Sequence, residues 1–258
     1  MQQNKGFDTF ALKFGDMTTN LSPATSRRAG YVIHVMTATG AVAGLIALQA
    51  VIDGHLRAAL LWLIACQILD GLDGPIARRL DVRIHAARID GHILDLVVDY
   101  LTCVVVPIAL LVRLGLLPKH YEVLVAGAIF LSSALWFART DFETEDHWFN
   151  GFPAVWNLAV PTFLILDASE KQVLFFSVIL CISQLTNFKL PHLVRVVKFR
   201  KITLPLTVLY LIDLTDLSWQ YSDKNGSNPN IIETALLLGI PVYITCIGIW
   251  RTWFSDRT

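Results

Sequence analysis

The sequence predicts an all-α, polytopic integral membrane protein with about eight transmembrane helices, and three observations predict it. Apolar runs of about twenty residues, the length that spans a bilayer as a helix, recur along most of the 258-residue chain. Asp, Glu, Lys and Arg make up 16% of it, against roughly 25% in an ordinary soluble domain. The basic residues gather on alternate connections between those runs, the asymmetry that orients membrane helices. A hydrophobic share of 54% decides little alone. The clustering decides it, because a soluble core could not use so many apolar runs and leave a face for water.

Residues 1–28 read as a cytoplasmic N-terminal segment, followed by one transmembrane domain over 29–258. The first segment mixes Lys5, Asp8, Lys13, Asp16, Arg27 and Arg28 with few apolar residues, unlike a secretory signal. Phe7, Phe10, Ala11 and Phe14 recur there at helical spacing beside Lys13. That pattern fits a short amphipathic helix on the membrane interface; a disordered tail fits nearly as well. The spans expected next cover 31–52, 56–74, 93–114, 121–138, 153–166, 173–187, 203–219 and 231–254. Two of these, the fifth and sixth, are short for a bilayer.

An even number of spans puts both termini on one side. That side carries Arg27 and Arg28, then Arg78, Arg79, Arg83 and Arg88, and then the basic stretch from Lys189 to Lys201. Few basic residues fall on the other side, so both termini and the 77–90 link are expected in the cytoplasm. Net charge is zero at a pI near 7, so no field points to nucleic acid. Cys66, Cys103, Cys181 and Cys246 all lie in apolar runs with no metal-ligand spacing. They read as small buried hydrophobes.

The chemistry is concentrated in Asp70-Gly71-Leu72-Asp73-Gly74-Pro75-Ile76-Ala77-Arg78 and in Gly91-His92-Ile93-Leu94-Asp95-Leu96-Val97-Val98-Asp99. Asp70 and Asp73 are three apart at the end of the second span, so they share a helix face. Gly91, Asp95 and Asp99 are spaced by four at the start of the third and share another. The two helices are antiparallel neighbours across a short link, so the four carboxylates can converge at one depth. Each costs on the order of 2.5–3.5 kcal/mol in a transmembrane helix, and together they repel. Divalent cations remove both problems, because hard carboxylate oxygens suit magnesium, manganese or calcium. Two such ions about 4 Å apart can bridge a diphosphate and stabilise charge at a transferred phosphorus.

Plainer roles compete. Aspartates cap helices or pair with Arg78, Arg79 or Arg88, and this suits Asp81 and Asp90 in the polar link. It suits Asp95 and Asp99 poorly, since Arg113, at the far end, is the only basic residue in their span. Gly74 and Gly91 allow close approach of backbone to a ligand, or tight packing between helices. Arg78 is placed to fork onto phosphate oxygens.

At these residues the sequence resembles the CDP-alcohol phosphotransferase family, whose signature is D-x2-D-G-x2-A-R, a spacer, then G-x3-D-x3-D. Every fixed position is present: Asp70, Asp73, Gly74, Ala77, Arg78, Gly91, Asp95 and Asp99. The spacer from residue 79 to 90 is twelve residues, longer than the family's usual eight, and resembles that of the bacterial phosphatidylcholine synthase branch.

The resemblance implies two divalent metal ions, Mn2+ or Mg2+, held by Asp70, Asp73, Asp95 and Asp99, with Asp99 also the general base. It implies CDP-diacylglycerol held near Gly74, Ala77, Arg78 and Gly91, and choline as the acceptor that yields phosphatidylcholine and CMP. Many members carry Asn-x2-Thr in the first helix near the nucleotide. Here the matching residues are His34 and Thr37; Thr37 is retained, and His34 either contacts the nucleotide or snorkels to the interface. The family also implies a homodimer in the bacterial inner membrane, with the active site at the cytoplasmic side.

A quaternary ammonium is recognised by aromatic faces, which makes Tyr100, Trp136, Trp148, Phe149 and Trp156 candidates for choline; interfacial aromatic belts look the same in sequence. Other acceptors (serine, inositol phosphate or glycerol phosphate) would use the same chemistry. A divalent-metal transporter would also explain intramembrane carboxylates, but it predicts them near the midplane and leaves Gly74, Ala77 and Arg78 without a role.

Overall fold

The computed structural model describes residues 23–79 and 88–255; the interfacial helix expected near residues 7–14 and Asp81 of the link lie outside them. Among the described residues there are eight helices. They are α1 (Pro23–Asp53), α2 (Leu56–Arg79), α3 (Gly91–Arg113) and α4 (Glu122–Phe137), then α5 (Trp156–Ile165), α6 (Glu170–Gln184), α7 (Arg200–Gln220) and α8 (Ile231–Phe254). Most of α1, with all of α3, α7 and α8, is long and apolar enough to cross a membrane, and α4 and α5 are shorter apolar helices. The protein is an all-α, polytopic membrane protein.

Several helix ends are written in local chemistry. Gly54, at a φ of 77°, ends α1, and His55 N–H bonds back to the Ala50 carbonyl at 2.9 Å; glycine takes this left-handed position without a Cβ penalty. Gly115 does the same after α3, at a φ of 60°. Ser169 with Gln172, and Asn230 with Glu233, form capping boxes that start α6 and α8. The first of these starts α6 three residues before the expected span, because a cap fixes where the helix begins and hydropathy fixes only where lipid does. Helix α1 covers Pro23–Asp53, and α2 continues past Gly74 and Pro75 to Arg79, each beyond the apolar run that marks its span.

The chain forms two compact units: Met1–Val42 with Ile68–Asp99, and Ala43–Gln67 with Tyr100–Thr258. The first holds the start of α1, the end of α2 and the start of α3. In the second, α3 makes a π-helical turn over Tyr100–Val105. Its larger core joins Leu60, Leu63, Val104, Ile108, Ile129 and Trp156, and a smaller one joins Ile64, Ile165, Leu214, Leu217 and Leu237. Buried polar groups satisfy one another between helices. Gln184 of α6 accepts from Ser132 at 2.6 Å and donates to Ser133 at 3.1 Å, and the Trp156 indole donates to the same Ser133 oxygen at 3.1 Å.

The polar stretch between α4 and α5 is more ordered than a plain loop. Trp148–Asn150 (β1) pairs antiparallel with Lys189–Pro191 (β2). Gly151 follows at a φ of 85°, where a Cβ would strike the Ser183 carbonyl oxygen. A Cβ on Gly248 of α8 would meet the Lys189 carbonyl oxygen at 2.5 Å, so the last helix lies directly on β2. Cys66, Cys103 and Cys181 are buried and unbridged, as expected; Cys246 is exposed, because a lipid-facing surface accepts the same small apolar residue as a core.

Candidate metal centre

Asp70 comes from α2, and Asp95 and Asp99 come from successive turns of α3. One carboxylate oxygen of each lies within 4.8 Å of the others, and all three side chains are half-buried. Two unit charges at that separation repel by about 3.5 kcal/mol at an effective dielectric of about 20, so a cation among them removes a large cost. The donors are oxygen only, which fits a hard divalent ion. Among the described residues this is the one group of three or more potential ligands with such convergence.

The start of α3 is fixed from two sides. Asp90 caps it, its Oδ1 accepting from His92 N–H at 3.0 Å and Ile93 N–H at 3.3 Å. Opposite Gly91 lies His34 of α1, whose Cε1 would stand 3.0 Å from a Cβ placed there. His34 is buried, with Tyr31 set edge-on at 6.4 Å. Further along, Gly40 of α1 meets Val98 of α3. The pairs His34–Gly91 and Gly40–Val98 advance together, so α1 and α3 run parallel here. Thr37, midway between His34 and Gly40, is therefore level with Asp95.

Asp73, Gly74, Ala77 and Arg78 continue α2 beyond Asp70; their side chains lie outside the described ones. The aromatic candidates belong to the second unit. Trp136 and Phe149 come together at 5.8 Å, and Phe149 stacks on His192 at 5.3 Å. Trp148, on the opposite face of β1, meets Phe199 instead. Tyr100 packs on Phe137, and its hydroxyl donates to the Phe130 carbonyl at 3.1 Å. Trp156 is fully buried and sits against Phe152.

Beside the ribbon, acidic side chains of the loop are held by basic partners. Glu143 accepts from His147 at 2.7 Å and from Arg195 at 3.1 Å. Burial opposes ionisation of Glu143, but these partners outweigh it and hold its carboxyl below the ordinary range. Arg139 forks onto Asp141 at 2.8 and 2.9 Å and lowers that carboxyl as well. Asp141, Glu143, Glu145 and Asp146 have only Arg139 and His147 as basic neighbours in the chain; Arg195, which meets Glu143, and Arg251, which meets Asp146, come from distant segments.

A helical membrane protein whose aspartates converge from two helices is the class these observations define. The sequence profile described as CDP-alcohol phosphatidyltransferase matches residues 32–186, a span that takes in most of α1, all of α2 through α6 and every aspartate of the site. The chain belongs to the CDP-alcohol phosphatidyltransferase family. It is 34% identical to a phosphatidylcholine synthase of Pseudomonas aeruginosa over 93% of this chain and 100% of that one. It is also 30% identical to one from Borreliella burgdorferi, over 86% and 94%, and 37% identical to one from Bradyrhizobium diazoefficiens, over 72% and 70%.

Proposed function

We propose that this chain is a metal-dependent phosphatidylcholine synthase, which transfers the phosphatidyl group of CDP-diacylglycerol to choline and releases CMP. The observation that carries the reading is the convergence of Asp70, Asp95 and Asp99 in a chain whose relatives bear that name over most of their length. Asp70, Asp73, Asp95 and Asp99 hold two divalent ions, Mn2+ or Mg2+. When bound, these neutralise the diphosphate and the charge that develops on the leaving CMP.

The protein's own groups do the rest. Arg78 forks onto phosphate oxygens, while Gly74, Ala77 and Gly91 leave room for the nucleotide beside His34 and Thr37. The choline hydroxyl forms a bond to the phosphorus that carries diacylglycerol, and the bond from that phosphorus to the bridging oxygen of CMP breaks. Asp99 accepts the hydroxyl proton. Aromatic faces among Tyr100, Trp136, Trp148, Phe149 and Trp156 take the trimethylammonium group.

The bacterial relatives support an inner-membrane location, and the distribution of basic residues supports cytoplasmic termini and a cytoplasm-facing site; the transmembrane domain over 29–258 forms a homodimer, as the family resemblance implies. A site at that surface lets water-soluble choline meet a substrate whose acyl chains stay in lipid. Purified protein in lipid nanodiscs, given CDP-diacylglycerol, Mn2+ and a panel of alcohols, is expected to release CMP with choline. Release with serine, inositol phosphate or glycerol phosphate, and none with choline, would replace choline as acceptor. Mn2+ flux into liposomes without CMP release would replace the enzyme by a transporter.

A further inference from the structure

We infer that Gly40 of α1 is a positioning residue for the acidic cluster: its bare backbone sets how close α3 stands, and so where Asp95 and Asp99 place their oxygens. This rests on the reading of the cluster as a metal centre. A Cβ built on Gly40 would lie 2.7 Å from Val98 Cγ1, where carbon atoms prefer about 3.5–4.0 Å. The shortfall is about 1 Å, and Val98 cannot give it by rotation, because a β-branched side chain in a helix is confined to one strongly preferred χ1. Val98 is buried, so the helix itself has to move.

The location makes that displacement matter. Val98 immediately precedes Asp99 and follows Asp95 by three residues. On a helix of 3.6 residues per turn, it stands about 60° from Asp95 and about 100° from Asp99. Val98 therefore faces α1 while the acids turn away from it toward Asp70. The acid pair is bracketed: His34 seats against Gly91 one turn before Asp95, and Gly40 seats Val98 at Asp99. Metal–oxygen distances tolerate about 0.2 Å, so a shift near 1 Å is several times what a preformed site absorbs. The same pairing recurs within the second unit, where a Cβ on Gly44 would stand 3.0 Å from Thr102 Cγ2.

The test measures Mn2+ binding to detergent-purified protein by the paramagnetic signal of the free ion, with no lipid substrate or acceptor present. Gly40→Ala is expected to weaken Mn2+ binding by about tenfold or more, the scale of lost metal-site support. Adding Val98→Ala, which removes the obstructing methyls, is expected to restore binding to within about threefold of wild type, with Mn2+ activation of CMP release recovering in parallel. Wild-type binding in Gly40→Ala would overturn the proposal, and so would a double variant as impaired as the single one. If Gly40→Ala is not recovered folded, the double variant decides alone. Binding near that of Val98→Ala supports the role, and loss of binding overturns it. Absence of CMP release in wild type would sink the enzymatic reading and leave this measurement intact.

Discussion

Asp95 and Asp99 stand one helical turn apart, so replacing either by asparagine removes a charge and keeps the side chain's size. For Asp99→Asn, turnover is expected to fall by about a thousandfold or more, within the range of a lost general base. CDP-diacylglycerol binding, measured by calorimetry, should persist in part. Full activity in this variant would remove Asp99 as the base. These aspartates were legible in the sequence because a carboxylate inside an apolar run is costly and spacing alone puts it on a shared face. His34 against Gly91 was not legible as a contact, since it depends on the register of two helices far apart in the chain. Nor could the sequence separate aromatic residues by duty. Trp136 donates its indole N–H to the Asn150 carbonyl at 2.8 Å and Trp156 to Ser133, and no local pattern in the sequence marks either bond.

Helices α4, α5 and α6 are short, and the Ser132–Ser133–Gln184–Trp156 network fastens them. Gln184→Leu leaves Ser132 without its side-chain partner and is expected to cost about 1–2 kcal/mol, read as a lower melting temperature in detergent with the catalytic pH profile unchanged. The ribbon of β1 and β2 has its own acid sensitivity. Glu143, Asp141 and Asp146 are held below their ordinary values, so their contribution to stability is present above that range and lost as pH falls through the folded values. Amide protection at 141–150, taken relative to the intrinsic exchange rate at each pH, should fall once pH drops below about 4.3, the ordinary glutamate value. Glu143→Gln should flatten that acid limb. Helices α1, α3, α7 and α8 could be read from hydropathy, because lipid demands long apolar runs. The ribbon could not, since three-residue strands leave no periodicity and their partner lies about forty residues away.

Across the whole molecule, the basic residues predict that residue 224, between α7 and α8, and residue 257 lie on opposite sides of the membrane. Of the native cysteines only Cys246 is exposed among the four, so a Cys246→Ser background suits the experiment. A cysteine at Lys224 should react with an impermeant maleimide in intact spheroplasts, and one at Arg257 only after lysis. Labelling of both from outside would refute the orientation. The ribbon gathers parts of the chain made at very different times. Lys189 N–H donates to Thr252 at 2.9 Å, and Arg251 pairs with Asp146 at 2.9 Å. During synthesis β1 and β2 emerge long before the helix that clasps them, so that surface closes only after α8 has left the ribosome. A nascent polypeptide arrested ahead of Gly248 should therefore present an open, protease-sensitive edge, which α8 closes as a latch.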